Sequence, residues 1–166
     1  MAEYDIIRVT PTLDTSAYAG QDVLFNPTAI PEAVRTNGGC SRLLAMYVID
    51  YSDTQSVDLR FFFSEGSTDF GTINETANIS DANLKANKVH AVAFSDFTAA
   101  NTGGHIDNLV MTQCLSFLGS DEPPTSIGML QAASGSSSVF VTGMVADGTP
   151  TYAADSLELI FHIQKK

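Results

Sequence analysis

The chain of 166 residues carries 19 acidic side chains against 8 basic ones, a formal net charge of −11 at pH 7, with 44% hydrophobic and only 16% charged residues. That length suits one domain, residues 1–166, able to bury a core without disulfides or metals, and the apolar content excludes a disordered chain. A surface this acidic repels phosphate backbones and anionic headgroups, which disfavours nucleic acid and membranes as partners.

No apolar run approaches the ~18 residues that span a bilayer. The opening Met1-Ala2-Glu3-Tyr4-Asp5 lacks the basic and then apolar pattern of a secretory signal, so synthesis and folding in a cytosol are expected. Cys40 and Cys114 are too few for a disulfide framework. Each sits in an apolar context and is expected as a reduced, buried thiol, with a single bridge between the two left open.

Along the chain, β-rich runs with period-two alternation recur at short spacing, separated by Gly, Pro, Asn, Asp and Ser. The spacing predicts strands over Tyr4 to Thr10, Asp22 to Phe25, Ser41 to Asp50, Val57 to Ser64 and Lys88 to Phe94. Further strands are predicted over Thr112 to Leu118, Ser126 to Gln131, Ser137 to Val145 and Ser156 to Ile163. In the last of these, Leu157, Leu159, Phe161 and Ile163 face one way while Ser156, Glu158 and His162 face the other. Asp147-Gly148-Thr149-Pro150 reads as the turn of a final hairpin, and Asn37-Gly38-Gly39 and Asn101-Thr102-Gly103-Gly104 as further turns. Helix is expected only after Ser80, where Ser80-Asp81 caps Ala82 to Asn87. The pattern specifies an all-β, antiparallel β-sandwich of jelly-roll type with at most one short helix. Residues 1–12 serve as a possible N-terminal arm or edge strand.

Two segments, Leu43 to Ile49 and Leu59 to Phe63 apart from Arg60, are apolar on both faces. A strand of that kind lies under a second layer or at a subunit contact. Phe61, Phe62 and Phe63 are therefore candidates for a subunit interface, with at least one face expected as plain core and a ligand groove as the other reading.

Residues that carry chemistry are sparse. None of His90, His105 and His162 lies in a Gly-x-Ser-x-Gly elbow or a cysteine-protease signature, so no catalytic residue is assigned. His and Cys never occur at paired zinc-ligand spacing. Asp50, Asp53 and Asp58 cluster around a turn and are of the residue type that holds calcium, but the EF-hand spacing is absent and a solvated acidic loop is expected. The pairs Gly38-Gly39 and Gly103-Gly104 lack the Lys-Ser/Thr of a phosphate loop. Neither metal nor cofactor is expected. Asn74-Glu75-Thr76 and Asn78-Ile79-Ser80 match the glycosylation sequon, which means little without export.

Several segments carry a family likeness: Thr12-Leu13-Asp14-Thr15-Ser16-Ala17-Tyr18 followed by Asp22-Val23-Leu24, then Val34-Arg35-Thr36-Asn37-Gly38-Gly39. Asp58-Leu59 leading into Phe61-Phe62, Gly71-Thr72-Ile73-Asn74 and Ile79-Ser80-Asp81-Ala82 continue it. Ala132-Ala133-Ser134-Gly135-Ser136 and Gly148-Thr149-Pro150-Thr151-Tyr152 complete the set. In these the chain resembles the small β-rich virion structural proteins of tailed bacteriophages, of the head decoration or cement kind. It departs from them around Ser64 to Phe70 and Asn101 to Asp107.

The resemblance implies a non-enzymatic capsid decoration protein on the outer shell, with the major capsid protein as partner and a homotrimer as the favoured assembly. Acidity agrees with an outer rather than a DNA-facing position. Tyr4, Ile6 and Arg8 on the N-terminal segment, and the scarce cations Arg35 and Arg42, are the expected capsid contacts. Two other function classes remain open: a carbohydrate- or receptor-binding module, and a depolymerase needing two carboxylates ~5–9.5 Å apart.

Overall fold

The computed structural model describes residues 3–51, 57–97, 110–113, 115–116 and 128–165. The described strands are β1 (Glu3–Val9), β2 (Val23–Ile30), β3 (Cys40–Asp50), β4 (Val57–Ser64) and β5 (Val89–Phe97). They continue with β6 (Val110–Gln113), β7 (Leu115–Ser116), β8 (Gly128–Gln131), β9 (Val139–Asp147) and β10 (Leu157–Lys165). One helix, α1 (Asp81–Asn87), precedes β5. The Ser80 hydroxyl accepts from the Asn83 amide at 3.3 Å and caps the helix as its sequence predicts.

All strand pairs are antiparallel and form two sheets. The first runs β1-β10-β3, and the far side of β3 is shared by β6 along Tyr47 to Asp50 and by β8 along Cys40 to Leu43. The second runs β2-β9-β4-β5-β7. The pairing is nested: β1 with β10, β2 with β9, β3 with β8, β4 with β5. A hairpin folded over on itself in this way is a jelly roll. The expected antiparallel jelly-roll sandwich with one short helix is the architecture of the chain.

Nesting overturns one expectation. β9 and β10 are not a hairpin, because β9 lies between β2 and β4 while β10 lies between β1 and β3 in the other sheet. The 148–156 segment crosses the sandwich instead of turning within a sheet. Alternation along a strand reports which side is buried and carries no information about the partner strand. The stretch predicted as one strand from Thr112 likewise divides between sheets, as β6 and β7. β2 extends past its predicted end through Pro27, which an edge strand tolerates, and its register against β9 breaks between Phe25 and Thr28.

The core lies between the sheets. Leu157, Leu159, Phe161 and Ile163 all point into it, as the alternation predicts, and meet Leu59, Phe61 and Phe63 of β4 from the opposite sheet. The rings of Phe63 and Phe161 meet edge-on at 6.1 Å between centroids. Gly143 of β9 pairs with Phe25 on one side and Phe61 on the other, and those two rings lie 6.2 Å apart over the space a side chain would fill. At one end Tyr18 packs edge-on against Tyr152, 6.0 Å away, and its hydroxyl accepts from the Asp14 amide and donates to the Leu24 carbonyl. Burial pushes the Tyr18 phenol up to about 12.

His90 of β5 ties the two sheets together at their edge. Its Nε2 accepts from the Gln131 amide of β8 at 3.1 Å, which leaves the proton on Nδ1, 3.2 Å from the Lys88 carbonyl. Burial depresses its pKa below the ordinary 6.5, against the opposing pull of the Lys88 carbonyl and Glu65. The unfolded chain therefore takes up a proton that the folded chain resists.

Two outcomes follow from these contacts. Gly143→Ala forces a methyl into the Phe25 ring and is expected to lower stability by about 1–3 kcal/mol in equilibrium denaturation, although Ala in place of Gly ordinarily favours a strand. Stability is expected to be full above about pH 6.5 and to fall on acidification toward the depressed His90 pKa, with His90→Gln flattening that part of the urea-midpoint profile between about pH 7.5 and 5.5.

Candidate docking face

The outer face of the first sheet is built by every second residue of its strands. On β1 the exposed side chains are Tyr4, Ile6 and Arg8, while Asp5, Ile7 and Val9 turn toward the core side. Directly opposite on β10 stand Gln164, His162 and Ile160. On β3 they are followed by Arg42, Ala45 and Tyr47, with Ile49 opposite Glu158. β8 adds Met129, opposite Arg42. Four expected capsid contacts (Tyr4, Ile6, Arg8 and Arg42) thus share one surface.

That surface is unusually apolar for so acidic a chain. Tyr4 is 66% exposed, Ile6 63%, Tyr51 51% and Met129 47%. On the same face Ile160, Ile49 and Ala45 are buried although they point away from the core. The Tyr47 and His162 rings pack with centroids 5.3 Å apart, tilted by 56°. Exposed apolar side chains gathered on one sheet face, here interleaved with Gln164, Arg42 and His162, are candidates for an interaction site.

Polar contacts hold the face in shape. The Arg8 guanidinium and the Tyr51 hydroxyl both donate to Glu158 Oε2, each at 2.9 Å. Being mostly exposed on the Arg8 side, the ion pair adds little stability, but it fixes the orientation of three side chains. The bond to Glu158 raises the Tyr51 pKa above 10, since the carboxylate favours the phenol that donates to it. Gln164 donates to the Tyr4 hydroxyl at 2.9 Å. Arg42 is exposed and makes no ion pair among the described residues. The far edge of β1 bears no strand among the described residues, so none of them pairs with its outward amides and carbonyls.

The other expected contacts lie elsewhere. Arg35 is exposed in the connection between β2 and β3, outside this face. Of the three subunit-interface candidates, Phe61 and Phe63 form the face expected as core and are fully buried there, so neither is available to a neighbour. Their parity on β4 points them inward, and only Phe62 faces out. Phe62 packs on Phe70, 5.6 Å away, and lines a groove of about 370 Å³ with Arg60, Val92 and Phe94. Cys40, expected to be buried, is a partly exposed free thiol at the first residue of β3, where the strand reaches the sandwich rim.

The acidic trio does not come together as a described site. Asp50 is buried at the end of β3 and Asp58 lies on β4 in the other sheet, while Asp53 falls outside the described residues. No group of three or more His, Cys, Asp and Glu suited to a metal occurs among the described residues. His105 and Cys114 also fall outside them. Both ring nitrogens of His90 are engaged by backbone groups, and His162 belongs to the apolar face. Tyr47, Tyr51, Met129, Glu158 and His162 are the members of the face that sequence reasoning did not single out. The two-sided apolar run of Leu43 to Ile49 was the signal for Tyr47, and alternation along the last strand that for Glu158 and His162; Tyr51 and Met129 had none.

No family model and no curated protein matches the chain. Among solved structures it is similar to a chain of the native virion of Kashmir bee virus at acidic pH, at 12% identity and a TM-score of 0.25, covering 98% of this chain and 67% of that one. A TM-score of that size does not establish a common fold, and the jelly-roll assignment rests on the strand pairing.

Glu158→Gln is expected to return the Tyr51 pKa toward 10, measured by NMR titration of ring-labelled tyrosine.

Proposed function

We propose that the chain is a non-enzymatic virion structural protein of a tailed bacteriophage, a decoration protein that docks on the outer capsid shell and stabilises it. The observation that carries this reading is the outer face of the first sheet, where Tyr4, Ile6, Tyr51 and Met129 expose apolar surface beside Arg8 and Arg42. Aromatic and Arg anchors around an apolar centre are the composition of a protein-binding surface. The free edge of β1 supports the same reading, because an added strand from a partner would satisfy its backbone. Jelly rolls recur in viral shells, and the family resemblance points the same way. The remaining surface, net acidic, keeps the docked protein soluble and away from packaged phosphate.

The mechanism is mass action. A protein that binds the closed shell and not its separated subunits stabilises the closed form by its binding free energy. The major capsid protein is the partner.

A carbohydrate-binding reading is favoured by one feature, a shallow basin of about 890 Å³ lined by Asn26, Thr68, Asp69, Thr72, Asn78 and Asn83 among others. Its amides and hydroxyls suit sugar hydroxyls. Among the described residues no aromatic side chain lines it, and the exposed tyrosines Tyr4 and Tyr51 belong to the other sheet.

Saturable binding to purified shells assembled without the chain is the expected result. Tyr4→Ala and Arg42→Glu should each weaken it roughly tenfold, while Arg35→Glu, outside the face, should leave it unchanged. Absence of shell binding, or a loss with Arg35→Glu equal to that with Arg42→Glu, overturns the docking reading. Glycan-array binding in its place favours the carbohydrate module.

A further inference from the structure

An exposed edge strand usually carries a device that prevents it from pairing: a proline, a bulge, a central lysine or an unpaired inward charge. β1 has none of the first three, and its register against β10 runs from Glu3 to Val9 without a break. The one inward charge near its centre, Asp5, is held by Lys165 and so does not blunt the edge. Two exposed apolar side chains, Tyr4 and Ile6, stand on this strand. Left free in solution, such an edge is a template for another strand.

The chemistry of β1 makes it complementary to itself. An antiparallel pairing of two copies that engages the whole strand, Glu3 against Val9, sets Ile6 opposite Ile6 about a two-fold axis. The same register sets Tyr4 of each copy opposite Arg8 of the other, a guanidinium over an aromatic face. On the core side Asp5 meets Ile7. Sliding by two residues in one direction would oppose Asp5 with Asp5, and in the other direction would leave Glu3 and Tyr4 unpaired. A slip of one residue would turn the partner's core face to the wrong side.

We propose that β1 pairs with β1 of a second copy in the free protein, joining two first sheets into one continuous sheet across a two-fold axis. The strand that docks on the shell is thereby covered until docking, and the shell competes with the second copy for one edge. This competition rests on the docking reading; the dimer itself does not. The two-fold contact belongs to the free protein, and the trimer implied by the family resemblance would belong to the bound one.

Site-directed cross-linking tests the register. With Cys40 and Cys114 replaced by serine, Ile6→Cys is expected to form a disulfide-linked dimer under mild oxidation, because residue 6 faces its own copy. Tyr4→Cys alone should not cross-link above the level of Ala17→Cys, an exposed position away from the strand. A mixture of Tyr4→Cys and Arg8→Cys chains should give the mixed dimer. In the cysteine-containing natural sequence, sedimentation under reducing conditions should show two chains, and Ile6→Lys should convert them to one. Ile6 is mostly exposed, so the lysine does not threaten the fold, and circular dichroism of the variant checks this. A natural sequence that sediments as one chain at every concentration overturns the proposal, as does Ile6→Cys that links no faster than Ala17→Cys. The oxidised Ile6→Cys dimer is expected to lose shell binding and to recover it on reduction. A dimer that forms while neither state binds shells removes the docking reading and leaves the two-fold contact standing.

Discussion

The structure depends on the insertion of β9 and β10 between strands contributed much earlier in the chain. β10 separates β1 from β3, and β9 separates β2 from β4. Neither sheet is continuous without them, because β1 and β2 have no other described neighbours within their sheets. The same two strands also carry the inward stripes Leu157, Leu159, Phe161, Ile163 and Val139, Val141, Gly143, Val145, which meet across the core. Pairing and packing are therefore met by the same residues. This is why the glycine at position 143 matters: it lies where the ladder of the second sheet and the Phe25 and Phe61 rings need the same space.

The docking face is a by-product of this layout in one respect and independent of it in another. Inserting β10 beside β1 brings Glu158 to Arg8 and His162 to within one strand of Tyr47. The core would be equally well packed with serine or threonine at positions 4, 6 and 47, which point away from it. Apolar side chains there point away from the sandwich interior, and the proposed docking would give them a physical role.

Much of this was legible in the sequence because strand residues declare their side by alternation. Leu157 to Ile163 and the Ser80 cap lie where the pattern sets them, and the two-sided apolar run from Leu43 pointed to a second covered surface. What alternation does not encode is the neighbour. The 148–156 connection has the composition of a hairpin turn and acts as a crossing. Phe61 and Phe63 were indistinguishable from Phe62 until the phase of β4 was known, since three consecutive phenylalanines hide their own parity. The joining of Arg42 to Tyr4 and Ile6 required β10 as intermediary, and no spacing in the chain announces it. Conversely, two of the family-like segments acquire a physical reason: the Tyr18 amide donates to the Pro150 carbonyl, and the Tyr18 ring packs on Tyr152. Those residues close one end of the sandwich.

Nested pairing also sets a timetable. Among the described residues β4 and β5 are the one consecutive pair joined as neighbours in a sheet, so almost every other pairing must wait for distant chain to arrive. Contacts so remote in sequence make for slow folding relative to helical proteins of the same size. On a ribosome the first strands emerge with their apolar stripes and open edges exposed, and they stay so until β10 has left the tunnel. The finished sandwich is therefore one in which the earliest strands are completed by the latest, so its two sheets close together and late.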